Sequence, residues 1–471
     1  LGFTFKSING LPEMALDTTR EDKNHWKIAL DEMPAQEAEP SATNEANLQG
    51  VLYKLSINTV SSAFDIASFG EMSKIYHQVV YVETGKSTRK KLQALIKESG
   101  AKEAADQEGK IRRIEQTIKA NYASVKNGPQ ALSTIDGVLE NKAGSPLGLV
   151  RLYAALFELL EVEHQLVLTC DRRRMHFDPE FESYGFLEVT LFYFPKTKAY
   201  LAPTFETSRY GLIPFQFTHQ NGLFIRSLSI GGIVTGIGKV KHIPAVDYAQ
   251  NLSNIYLTMR FPDGPDEAEI TMENQVGGYM AAGMQVYYEQ LPDKEKQELL
   301  KSLIGYIFGE SEPEDIAVEH ASPEDLGVRP MVLKTTVTTA DFIEKAGPKY
   351  LIKVGDLIGQ QVEMYEQKDR EQPIDDRFNR LFHRELTLEL PEGYRVVNPE
   401  ALNINVAHKE EGETILQFIS EYQLDGNVLK VTIHEYYSRV QLPAAVFDAY
   451  KAVVNAAADF NKVTLFLEPV Q

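Results

Sequence analysis

Residues 144–160 read Gly144-Ser145-Pro146-Leu147-Gly148-Leu149-Val150-Arg151-Leu152-Tyr153-Ala154-Ala155-Leu156-Phe157-Glu158-Leu159-Leu160. Leu149, Leu152, Leu156, Leu159 and Leu160 recur at three and four, the period of a helix that buries one face. Pro146 stands in the first turn, where its fixed φ and missing N–H are tolerated. Ser145, just before it, is a favoured N-cap residue. The spacing therefore predicts a buried helix over 147–160, and the rest of the chain is read outward from it.

Downstream lie two runs rich in β-branched and aromatic residues, Gln165 to Thr169 and Phe186 to Phe194, and a third, Ala199 to Leu201, that stops at the turn residue Pro203. A helix followed by antiparallel strands makes this segment α+β. Upstream, Phe64 to His77, Ser87 to Ser99 and Gln107 to Tyr122 repeat apolar residues at helical spacing, with Gly85, Gly100 and Gly128 as punctuation. The first 50 residues alternate around Phe3, Phe5, Trp26, Ile28 and Leu30 and then turn polar, as the end of a β-domain and a linker.

From Leu223 the texture is again strands. Ile255 to Phe261 and Glu267 to Met272 flank Pro262-Asp263-Gly264-Pro265, a hairpin signal, and one helix, Asp293 to Ile307, interrupts them. Strands at Glu385 to Leu390, Thr414 to Tyr422, Asn427 to Tyr437 and Val463 to Leu467, with a helix at Ala444 to Ala458, complete the chain. The expected domains are 1–50, the end of an N-terminal β-domain; 51–222, an α+β core; 223–376, β-rich with one helix; and 377–471, β-rich with a late helix.

The chain has 471 residues, 43% hydrophobic and 10% aromatic, so several buried cores are expected and wholesale disorder is excluded. A formal charge of −19 repels phosphate backbones, which excludes nucleic acid as an expected partner. No apolar run reaches the roughly 18–20 residues that a transmembrane helix needs. Leu1 is not an initiator Met and no signal pattern follows it, so a mature, trimmed or incomplete start is expected. One cysteine, Cys170, excludes an intramolecular disulfide.

Several motif-like runs carry little. Gly85-Lys86-Ser87-Thr88 lacks the first glycine of a phosphate-binding loop, since Val80 stands there, and reads as a helix start. The glycine-rich run from Gly231 to Gly238 has no helix after it and reads as a flexible inter-domain crossing. Glu310, Glu312, Glu314 and Asp315 lack the order of a calcium loop, and no histidines fall at i, i+4 beside a glutamate, so no metal and no cofactor is expected. Cys170 precedes Asp171 and three arginines that could lower its pKa, but without a helix N-terminus it reads as a structural thiol.

The stretch from Ile111 to Ile225 resembles the transglutaminase-like (papain-like) superfamily, in particular bacterial proteins of Bacteroidota type whose core sits between β-rich domains. In that family a Gly-Asp-Cys-Lys-Asp motif opens a helix and presents the nucleophile; the matching run here is Gly144-Ser145-Pro146-Leu147-Gly148, with Pro146 at the cysteine position. The family's histidine and aspartate positions match Glu188, in Phe186-Leu187-Glu188-Val189, and Ala202, in Leu201-Ala202-Pro203-Thr204. The resemblance extends to the flanks. Trp26 to Glu39, with Met33-Pro34-Ala35, is similar to the exit of the family's N-terminal β-domain, and Arg384 to Leu467, with Leu390-Pro391-Glu392-Gly393-Tyr394, to its C-terminal one.

The resemblance implies an α+β multidomain protein, a papain/transglutaminase-like core between β-sandwich-type domains, acting outside the cytoplasm. It also implies lost catalysis, because proline supplies no nucleophile, alanine no orienting carboxylate, and glutamate is a poor base near neutrality. A rival reading makes Ser145 a displaced nucleophile served by Glu188, His176 or His164, a hydrolase on the same scaffold. A third keeps the cleft as a groove for a peptide, protein or glycan, lined by Tyr153, Tyr193 and Tyr210, although aromatics at such spacings are more often core.

Overall fold

Helix α5, Pro146–Leu159, forms where its leucine stripe places it. Leu152, Tyr153, Leu156 and Phe157 are fully buried, and each such side chain contributes roughly 1.5–3 kcal/mol of burial. The helix stops as Leu160 caps it and Glu161 turns to φ +55°, a left-handed conformation that cannot continue it. The structure is a computed structural model that describes residues 2–19, 24–33, 35–58, 63–64, 67–368 and 370–470. Leu1, Pro34 and residues 65–66 of the helix expected over Phe64 to His77 lie outside the described residues.

The chain divides into two compact units, Leu1–Pro244 and Ala245–Gln471. In unit 1, helices α1 (Phe69–Val80), α2 (Lys86–Glu98), α3 (Gln107–Asn121), α4 (Ile135–Asn141) and α5 share one core with a five-stranded sheet. α1 starts later than its periodicity suggests because Ser68 caps it, its hydroxyl accepting from Glu71 N. The sheet order is Ala199–Leu201, Val189–Phe194, Gln165–Thr169, Gln220–Ile230, Ile233–Ile243, antiparallel throughout. Register puts Leu201, Phe192, Leu166 and Ile225 in one row on the helical face. Val167, Leu191 and Phe224 face the other way, against Ile213 and Phe217.

That row continues onto Gly238, paired with Ile225, and here the glycine-rich run differs from its expected role as a flexible crossing. Gly231 and Gly232, at φ +58° and +84°, make the turn of a hairpin. A Cβ on Gly238 would stand 1.9 Å from Ser73 Oγ, and one on Gly236 2.4 Å from Ser73 O, so these glycines let α1 lie directly on the sheet. The expected boundary at 222/223 falls inside the strand Gln220–Ile230, whose hydrogen bonds to both neighbours keep it in unit 1.

Unit 2 is built on an eight-stranded sheet. Asp315–Glu319, Met331–Thr339, Ala268–Val276 and Leu252–Arg260 form one antiparallel half; Arg380–Glu389, Val428–Tyr437, Glu413–Asp425 and Ile404–Glu410 form the other. The halves join by parallel pairing of Leu252–Arg260 with Arg380–Glu389. Val337, Ile270, Met259, Leu388 and Leu429 make one buried row across the junction. The expected boundary after 376 therefore divides a single sheet and core rather than two domains. The hairpin at Pro262–Pro265 is present, with Arg260 opposite Glu269.

Helices α7 (Asp293–Phe308) and α8 (Phe447–Asn461), together with a four-stranded sheet, pack on the buried face, so helices stand where a plain sandwich would have only strands. A short helix, α6 (Ala282–Tyr287), is a second interruption beyond the one expected. The other face of the large sheet presents Thr258, Thr271, Glu385, Thr387 and Lys430 around an open depression of about 420 Å³. Strand alternation explains the two faces: Arg384, Leu386 and Leu388 are buried while His383, Glu385 and Thr387 point away.

Candidate functional site

The N-terminus of α5 is where the resemblance would place a nucleophile. Pro146 occupies the first helical position, and Ser145, with extended backbone, accepts a hydrogen bond from Gly148 N at 3.1 Å. Its hydroxyl also shares a 2.8 Å hydrogen bond with Ser133 Oγ, and its N–H donates to Leu132 O. A Cβ on Gly148 would stand 2.0 Å from Leu132 O, so only glycine allows this approach. Arg151 fastens the same end by donating to Ser133 O and Val79 O. Ser145 is thus held by Leu132, Ser133 and Gly148.

Glu188 and Ala202 are placed differently. Glu188 N donates to Thr169 O, and its partly exposed carboxylate lies 4.0 Å from Arg174. Ala202 is fully buried among Val167, Leu191, Phe217 and Phe224. It follows Leu201, which pairs with Phe192, so about three residues, roughly 10 Å of strand, separate its level on the sheet from Glu188. Among the described residues, Ser145, Glu188 and Ala202 share no hydrogen-bond partner.

The other candidates are equally committed. His164 donates from Nδ1 to Val162 O at 2.8 Å and accepts from the Tyr81 hydroxyl at 3.0 Å, and burial pulls its pKa down to about 4. His176 bonds Asn47 Oδ1. Cys170 is buried, donating to Met175 O, and burial, reinforced by the Glu188 and Asp171 carboxylates, pushes its thiol up to about 12. The neighbouring arginines do not reverse this: Arg173 pairs with Asp171, and Arg174 with Glu45 and Glu188.

The three tyrosines do not line one groove. Tyr153 and Tyr210 are buried on the helical side, against Phe192 and Phe194, whereas Tyr193 packs with Tyr200 and Phe224 on the opposite face. Period-two alternation sends residues 192 and 193 to opposite sides, which accounts for the split.

Sequence reading missed a polar cluster beneath α5. Glu115 and Lys119, one turn apart on α3, form a 2.8 Å ion pair with side chains 1% and 5% exposed. Glu115 also accepts from Tyr210 N, and Lys119 donates to Ser208 O. Burial pulls Lys119 below the usual lysine range, opposed by Glu115. The Tyr153 hydroxyl ends beside this pair, and burial first and Glu115 second hold its phenol well above the ordinary range. An i, i+4 Glu–Lys spacing was the only available signal, and it ordinarily marks a solvated helix face.

Fold and site together define an α+β multidomain protein. Within the described residues no helix is long and apolar enough to cross a membrane. No protein-family model matches the sequence, and no curated protein matches it. Among solved structures the chain is similar to a crystal structure from Parabacteroides distasonis described as a "putative protease", with a TM-score of 0.54 and 13% identity, over 99% of this chain and 70% of that one. At that identity the likeness shows a shared fold.

Proposed function

We propose that this chain is a catalytically silent protein of transglutaminase-like ancestry that acts by binding a peptide, protein or glycan outside the cytoplasm. One observation carries the reading: Pro146 fills the first position of α5 and Ser145 is engaged as its N-cap, so the helix end that would present a nucleophile is built as a structural joint. The buried thiol of Cys170, raised to about 12, supports it, because the thiolate is the reactive form. The extracytoplasmic setting rests on the resemblance alone.

The displaced-serine alternative has weaker support. Serine needs a close general base, and the hydroxyl of Ser145 is instead shared with Ser133 and Gly148 N. Intact-mass spectrometry of the native chain after treatment with a fluorophosphonate, and separately with iodoacetamide, tests the proposal. Unmodified protein is the expected result in both. Stoichiometric labelling of Ser145 would replace this reading with a serine hydrolase.

A further inference from the structure

On the outward face of the large sheet in unit 2, His383 and His434 stand directly opposite each other on neighbouring strands. Their Nδ1 atoms are 3.2 Å apart, with the rings inclined at 34°. His383 Nε2 lies 3.0 Å from Glu385 Oε1, on the same strand and the same face. Tyr256 covers the His383 ring edge-on from the adjoining strand. Ile419 pairs with His434 from the other side, with Glu421 two residues on.

The Glu385 carboxylate fixes the tautomer. An ionised carboxylate only accepts, so Nε2 of neutral His383 carries the proton and Nδ1 presents its lone pair toward His434. Moving the His434 proton to Nε2 frees a second lone pair, on its Nδ1. Two nitrogens bound to one tetrahedral ion with bonds of about 2.0–2.1 Å are roughly 3.3 Å apart. The observed spacing matches this, and a histidine whose far nitrogen donates to a carboxylate is the arrangement that orients metal ligands.

We propose that His383 and His434 bind a divalent transition-metal ion through their Nδ1 atoms, with Glu385 as the positioning carboxylate. Imidazole pairs suit Zn²⁺, Cu²⁺ or Ni²⁺ rather than Ca²⁺ or Mg²⁺. Among the described residues no group of three or more His, Cys, Asp or Glu side chains could hold a metal ion, so the two histidines are the protein ligands of the proposed site. Glu385 also lines the 420 Å³ depression.

Calorimetric titration of Zn²⁺ into the full chain, prepared without a histidine tag and stripped with chelator, tests this. One high-affinity site per chain is expected, weakened at least tenfold by His383→Gln or His434→Gln and roughly tenfold by Glu385→Gln. His408→Gln, on another strand, should leave it unchanged. Circular dichroism checks that each variant is folded. Because His434 is exposed, its substitution tests the site without disturbing the core. Zn²⁺ affinity within twofold of the parent in His434→Gln, or no saturable binding by the parent chain, would overturn the proposal.

Discussion

The Ser145 hydroxyl accepts the Gly148 amide hydrogen at 3.1 Å, closing the first turn of α5. Removing the cap in Ser145→Ala should cost about 1 kcal/mol of stability. Gly148→Ala should cost more, since its Cβ meets a backbone oxygen that cannot move without shifting the segment Gln130–Ser133. Thermal unfolding of both variants checks the order; a Gly148→Ala chain as stable as the parent would contradict the close approach.

Cys170 should resist thiol reagents in the native chain at pH 8 and react fully once unfolded. Its pKa is raised by folding, from 9.0 to about 12, so the stability it contributes is fully present below pH 9 and is lost as pH rises toward 12. Cys170→Ala should flatten the alkaline limb of the stability profile over that window.

His164 behaves in the opposite pH direction. Folding depresses its pKa from 6.5 to about 4, so its contribution is present above 6.5 and is lost as pH falls through 4. The parent chain should lose on the order of 2 kcal/mol more than His164→Gln between pH 7 and pH 4. Urea unfolding across that range measures it; parallel profiles would contradict the assignment.

Arg384 and Glu435 form an ion pair at 2.8 Å inside unit 2, with side chains 4% and 6% exposed, and Tyr437 donates to the same carboxylate. Glu435→Gln leaves the guanidinium buried without its counter-charge and should cost about 3–5 kcal/mol, whereas Arg384→Met with Glu435→Leu should recover most of that loss. Comparing unfolding midpoints of the single and double variants separates the pair from its packing.

Features encoded by local period were readable: the leucine stripe of α5, the run Gln165–Thr169, and the proline-bracketed hairpin turn. Features made by partners distant in sequence were not. Gly236 and Gly238 read as flexible until α1 is seen lying on them. The parallel pairing of Leu252–Arg260 with Arg380–Glu389 leaves no local trace, so one unit read as two domains. Ser145 and Pro146 stand at the helix end expected of them, but the environments of Glu188 and Ala202 depend on sheet register, which spacing alone does not specify. His383 and His434 become neighbours only through cross-strand pairing.

Catalytic silence is tested most directly by measuring hydrolysis of fluorogenic peptides and amine incorporation into a glutamine peptide, using the parent chain, Ser145→Ala and Cys170→Ser side by side. The expected result is a rate equal to the enzyme-free control for all three, because Pro146 offers no nucleophile, Ser145 serves as a cap and the Cys170 thiol stays protonated. Turnover by the parent that disappears in Ser145→Ala, or in Cys170→Ser, would contradict it and identify the nucleophile.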